Sequence, residues 1–216
     1  MLKQEIEHNQ YPHHSREEML KYIPVKANRV LDVGCNTGGF GEALKKKRDI
    51  EVWGVEPKKE AAKIASSLLD HVVNDIFHDA IDLPDDFFDV IVFNDVLEHI
   101  EDPWAVLKNV RNKLVNGGIV IASLPNILHI NNLQHLLLYA DFKYEENGVR
   151  DKTHLRFFTQ KSAIRMFEEV GFNVIKVEGI NENWWSSSLF KRFLYKVFPL
   201  RMEETKYVQF VVVAGV

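Results

Sequence analysis

The chain has 216 residues, 46% of them hydrophobic, enough to bury one substantial core as a single domain with insertions near 126–160 and 180–203. A formal charge of −4 leaves no electrostatic footprint for nucleic acid. The lone cysteine, Cys35, excludes an internal disulfide framework and suits a reducing, cytoplasmic setting. No run is long enough to cross a membrane, and Met1 to Glu7 lacks a signal peptide's apolar core.

Residues up to about Pro12 are polar and read as an arm or a lid strand. His13-His14 has no Cys or His nearby at ligand spacing, so a solvated pair and no metal are expected. Ser15, followed by Glu17-Glu18, reads as an N-cap opening a helix to about Tyr22. Arg29 to Phe40 is the stretch that organises the chain: a short apolar strand, an acid, three glycines, then a helix to about Lys47. Glycine allows positive φ and close approach of a ligand, and the helix start aims unpaired N–H groups into the turn.

Two frames fit that turn. The dinucleotide fingerprint G-x-G-x-x-G runs from Gly34 to Gly39 but finds Asn36 where its second glycine belongs, which argues against NAD. The other frame is acidic-x-G-x-G-x-G, with Asp32, Gly34, Asn36 and Gly38. Asn tolerates left-handed backbone, so the turn survives the substitution. Asp32 also suits a ligand bearing an ammonium and a sulfonium better than one bearing a pyrophosphate. Cys35, inside the turn, reads as a small residue beside the ligand and not as a nucleophile.

Glu51 to Glu56 reads as a second strand ending in an acid about 20 residues past the glycines, where a carboxylate meets ribose hydroxyls, with Pro57 next. Lys58 to Leu69 has helical composition. Val72 to Ile76 reads as a third strand with Asp75 at its end, and Phe87 to His99 as a fourth strand with its loop. Asp102-Pro103 starts a helix, and Ile119 to Ser123 follows the turn Asn116-Gly117-Gly118 as a fifth strand. Ile130 to Ala140 is a mostly apolar helix, a candidate substrate lid. Gln160-Lys161-Ser162 leads into a helix stopped by Gly171, with Phe172 to Val177 and Lys206 to Ala214 as the last strands. Strands alternating with helices imply an α/β fold with a mostly parallel sheet. Within 184–201, Trp184-Trp185 precedes apolar residues interspersed with Lys and Arg; an amphipathic helix packed on the domain, a peripheral membrane contact and a dimer face all fit.

Asp32, Gly34, Asn36 and Gly38 resemble motif I of the class I S-adenosyl-L-methionine (SAM)-dependent methyltransferases. The likeness extends over nearly the whole chain through Asp95-Val96-Leu97-Glu98-His99, Leu124-Pro125-Asn126, the run from Asp151 to Thr159, and Tyr207-Val208-Gln209-Phe210. These segments resemble the bacterial branch found near, or fused to, glycosyltransferases in surface-polysaccharide clusters. The resemblance implies a Rossmann-like, seven-stranded sheet with an antiparallel last strand, and SAM as cofactor with S-adenosyl-L-homocysteine as product. It places the methionine part on Asp32, Gly34, Cys35, Asn36 and Gly38, the ribose on Glu56 beside Pro57, the adenine on Asp75 and Ile76, and the methyl-transfer face on Asn94 and Asp95.

Methyl transfer from a sulfonium is an in-line displacement, so the protein mainly aligns the reactants. An alcohol acceptor must also lose a proton, and a base near neutral pKa serves best. His99 and His154, with Asp151 in the same charged cluster, are the catalytic candidates. The favoured acceptor is a sugar hydroxyl on a small or carrier-bound molecule, handled by a monomer or homodimer. The rivals are an NAD(P)-linked sugar oxidoreductase and a non-catalytic SAM-binding partner of a glycosyltransferase.

Overall fold

Short apolar runs separated by helical segments build one sheet. Its strands are β1 (Arg29–Val33), β2 (Glu51–Val55), β3 (His71–Val73), β4 (Phe88–Asn94), β5 (Leu114–Pro125), β6 (Asn173–Glu182) and β7 (Tyr207–Gly215). The computed structural model describes residues 13–182 and 203–216, with positions 189, 193, 196 and 197 between them. The arm up to Pro12, and the stretch 184–201 apart from those four positions, lie outside the described residues.

The seven strands run in the order β3-β2-β1-β4-β5-β7-β6, with β7 antiparallel to the other six. β1 is parallel to β2 and to β4, and its register sets Asp32 opposite Gly54 on one side and Val92 on the other. Val90, Ile91, Val92 and Phe93 are fully buried, as expected of a parallel strand with both faces covered. Helices among the described residues include α1 (Gly39–Lys47), α2 (Lys59–Ala65), α3 (Pro103–Val110), α4 (Ile130–Leu138) and α5 (Gln160–Glu169). α5 starts with a capping box: Thr159 and Ser162 exchange side-chain bonds to each other's backbone N–H.

The chain falls into two compact units. The first comprises Met1–Asn94, Ala105–Ile121 and Gly215–Val216, and contains β1 to β4. The second comprises Asp95–Trp104 and Ala122–Ala214, and contains α4, α5 and β6.

Several boundaries differ from expectation. Arg16, in left-handed backbone, stands at the cap position, and a 3-10 turn over Glu17–Tyr22 replaces the helix expected after Ser15. The expected third strand continued to Ile76, but β3 stops at Val73 because the Asn74 amide turns to donate to the carbonyls of Glu56 and Pro57. α2 ends at Ala65, since the Ser66 and Ser67 hydroxyls fold back on the carbonyls of Ala62 and Ile64. β5 runs through Gly117-Gly118 instead of starting after them. His13 is not simply solvated: Nδ1 meets Thr37 Oγ1 at 2.9 Å and Nε2 meets Glu42 Oε2 at 3.1 Å.

Phe93, fully buried in β4 one residue before the candidate-site residue Asn94, is a measure of this core. Phe93→Ala is expected to cost about 3–5 kcal/mol in denaturant unfolding; a loss under about 1 kcal/mol would show that the centre of the sheet is not packed as described.

Candidate active site

In the first unit, β1 and β2 end side by side and deliver Asp32 and Glu56, which are 2% and 6% exposed. The turn between β1 and α1 needs unusual backbone: Gly34 has φ +74°, Asn36 +49° and Gly38 +83°. Asn36 adopts the left-handed conformation that replaces the missing glycine, as its side chain permits. The N–H groups of Gly34 and Cys35 both donate to the Val55 carbonyl, tying the turn to the end of β2.

Glu56 secures the same turn. Its Oε2 accepts from the Asn36 N–H and its Oε1 from the Lys58 N–H, both at 2.9 Å. Each carboxylate oxygen keeps further acceptor capacity for a ligand hydroxyl. Burial, and next the negative charge of Glu56, push the Asp32 carboxyl up to about 7, against the opposing effects of Arg16 and Asn94. Although the Asn94 amide stands beside Asp32, no hydrogen bond of 3.5 Å or less among the described residues satisfies its Oδ1 or Nδ2, or Asp32 Oδ1. Buried polar atoms left in this condition fit a polar, cationic ligand, so the residues present suit a SAM site. Cys35 is 5% exposed, and burial together with Asp32 and Glu56 drives its thiol far above the usual range, which disfavours the thiolate a nucleophile needs.

The adenine candidates are more open. Asp75 is exposed, accepts from the Ile76 N–H at 2.7 Å and meets His78 Nε2 at 3.2 Å. The His78 contact and the Ile76 bond hold its carboxyl below the ordinary range. Ile76 is 62% exposed, an unusual display of apolar surface, and Pro57 is exposed as well.

In the second unit, a cavity of about 160 Å³ collects Asp95, Glu98, His99, Asp151, His154 and Gln209 with Pro125, Val149 and Val208. Asp95 has φ +55°, and a network holds it there. Its N–H donates to Ser123 Oγ at 3.0 Å, while the Ser123 hydroxyl donates to Oδ1 at 2.8 Å. Gln209 Nε2 lies 2.6 Å from both carboxylate oxygens, and Asn181 Nδ2 donates in turn to Gln209 Oε1.

The two histidines meet in this cavity with ring centroids 4.8 Å apart. Thr153 connects His99 to Asp151: its hydroxyl donates to Asp151 Oδ1 at 2.6 Å, and His99 Nδ1 faces both that hydroxyl (3.1 Å) and the Thr153 carbonyl (3.3 Å). A carbonyl only accepts, so Nδ1 carries the proton and Nε2 becomes the basic nitrogen of neutral His99. Burial would raise the Asp151 carboxyl, but the hydroxyl and N–H of Thr153 outweigh it and hold Asp151 low. Burial, and next His99, hold the His154 imidazole below its usual pKa, against Asp151, a bond to the Val149 backbone and Asp95.

Glu98, Thr153, Ser123 and Gln209 were absent from the sequence-derived site. Glu98 is fully buried, with Oε1 3.9 Å from His154 Nε2. Glu98, His99 and His154 bring one ligand atom each to within 4.8 Å of one another, a donor set that a divalent ion accepts. The separation of Glu98-His99 from His154 along the chain hides this set from a search by ligand spacing.

A family model described as a methyltransferase domain matches residues 6–177. The chain belongs to the methyltransferase family. Solved structures agree on the fold: a SAM-dependent methyltransferase from Archaeoglobus fulgidus has a TM-score of 0.67 and 20% identity, covering 98% of each chain. A possible histamine N-methyltransferase from Thermotoga maritima has a TM-score of 0.65 at 19% identity, covering 97% of this chain and 91% of its own. Among sequence relatives, a ubiquinone biosynthesis O-methyltransferase of Neisseria meningitidis is 27% identical over 170 residues, 74% of this chain and 69% of that protein. An uncharacterized protein of Methanocaldococcus jannaschii is 31% identical over 165 residues, 74% of this chain and 71% of its own. The enzyme is a class I SAM-dependent methyltransferase, and SAM is its cofactor.

The raised Asp32 carboxyl makes stability depend on pH. Between its ordinary value of 3.8 and about 7, the folded protein keeps a proton that the unfolded chain releases, so stability falls as pH rises and levels off above about 7. Without SAM, the Tm of Asp32→Asn relative to wild type is expected to increase from pH 4 to pH 7 and then plateau; a gap independent of pH would contradict the burial of this charge.

Proposed function

We propose that the enzyme O-methylates a sugar hydroxyl on a small or carrier-bound acceptor, as in the branch associated with glycosyltransferases. The observation that carries this reading is the polar cavity around Asp95, His99, Asp151, His154 and Gln209. Bound SAM supplies a methyl already activated by its sulfonium. In this reading Asp32, Gly34, Cys35, Asn36 and Gly38 hold the methionine part, and Glu56 beside Pro57 holds the ribose. Asp75 and Ile76 take the adenine, and Asn94 and Asp95 line the methyl-transfer face.

The acceptor alcohol needs a base. His99 takes its proton at Nε2, the nitrogen left basic by the Thr153 contacts, and Asp151 holds Thr153 in place to fix that tautomer. His154, buried and held below its usual pKa, stays neutral near pH 7 and packs edge-on against His99. Gln209 and Ser123 position Asp95.

A second reading, transfer to a phenolic hydroxyl, draws on the relatives named for ubiquinone biosynthesis. A phenol needs less help from a base; the carboxylates and amides here favour a saccharide. The exposed Leu189, Phe193 and Val197, at helical positions four apart, support a membrane or dimer contact in that region. A cytoplasmic placement accords with the single, reduced Cys35.

Incubation with labelled SAM and a panel of glycosides and catechols tests the proposal by mass spectrometry. Transfer to a saccharide hydroxyl is expected, and His99→Ala should lower that turnover by about 10²–10⁴-fold. Transfer confined to catechols, or turnover unchanged in both His99→Ala and His154→Ala, would overturn it.

A further inference from the structure

A larger cavity in the second unit, of about 480 Å³, shares Val149 and Val208 as a common wall with the smaller one. Pockets that enclose whole small ligands run to roughly 300–1,000 Å³. At about 160 Å³, the histidine-lined cavity has room for the reacting part of an acceptor but not for its body. The larger cavity is where that body can lie.

We propose that this second cavity binds a neutral sugar ring of the acceptor, next to the ring that is methylated. The inference rests on the sugar-hydroxyl reading and extends it to an acceptor of at least two rings. Its lining is rich in amides and imidazoles, including His129, Asn132, Gln134 and His135. Asn132 is 1% exposed; its Nδ2 donates to the Ile127 carbonyl at 2.6 Å, whereas its Oδ1 is buried with no hydrogen-bond partner among the described residues. A buried acceptor in that state calls for a donor, and a sugar hydroxyl is one.

The charge balance excludes an anionic occupant as the better fit. Arg150 lines the cavity, but its Nη2 pairs with Glu145 Oε1 at 2.5 Å and its Nε donates to the Lys143 carbonyl at 3.0 Å. Its charge is therefore already met by a carboxylate that lines the same cavity. Tyr139 adds an aromatic face, 61% exposed and edge-on to His135 at 5.3 Å, against which the C–H side of a sugar ring can pack. Neutral donors and acceptors around one aromatic face suit a carbohydrate better than a diphosphate.

Saturation-transfer NMR and calorimetry on the full chain, with methyl glycosides of common hexoses, their disaccharides, inorganic diphosphate and UDP as probes, test the site. At least one disaccharide should bind more tightly than its component monosaccharides. Asn132→Leu and Tyr139→Ala should each weaken that disaccharide at least tenfold while leaving monosaccharide binding unchanged. Tyr139 is exposed, so its variant keeps the test valid if Asn132→Leu does not fold. Disaccharide affinity untouched by the folded variants, or binding of diphosphate or UDP in preference to every saccharide, would overturn the second-ring site. Continued methyl transfer to a monosaccharide in those cases would leave the sugar-hydroxyl reading standing. Transfer to catechols with no saccharide bound would end that reading, and the site with it.

Discussion

Two carboxylates buried together at the ends of adjacent parallel strands set the terms for the first unit. Asp32 and Glu56 leave water where their mutual repulsion is felt most, and Asp32 responds by holding its proton to about pH 7. Such an arrangement is costly in the free chain and makes sense when a cation completes it. The parallel register of β1 and β2, the left-handed Asn36 and the two N–H bonds into Val55 all serve to hold these groups in position. Glu56 works in two directions, since its carboxylate fixes the Asn36 and Lys58 amides and keeps acceptor capacity in reserve.

In the second unit, acids, amides and two imidazoles share one small cavity. Asp151 accepts from the Thr153 hydroxyl, Thr153 faces His99 Nδ1, and burial, with His99, holds the His154 imidazole below its usual pKa. The strained backbone at Asp95 follows the same pattern, since Ser123, Gln209 and Asn181 over-determine a conformation that a non-glycine residue seldom adopts.

Much of the sheet was legible because its signals are local. Apolar runs of strand length, a glycine turn after Asp32 and the Asp102-Pro103 helix start each announce themselves within a few residues. β3 ends before the expected Ile76 because the Asn74 side chain competes with the ladder, and β5 begins early because the strand runs through Gly117-Gly118, although that pair reads as a turn. The parts that escaped are those assembled from distant segments. Gln209 reaches Asp95 across 114 residues of chain, and Thr153 reaches His99 across 54. Glu98 is fully buried beside His154, and only the tertiary fold reveals that.

Calorimetry of SAM binding across pH 5.5 to 8.5 (a range chosen to bracket the Asp32 value of about 7) tests most directly whether Asp32 is the anionic partner of a cationic cofactor. Binding should expel the proton from Asp32, so affinity should climb by up to about tenfold per pH unit below 7 and level off above it, with proton release visible as a dependence on buffer ionisation enthalpy. Affinity that is flat across that range, or equally pH-dependent in Asp32→Asn, would contradict it.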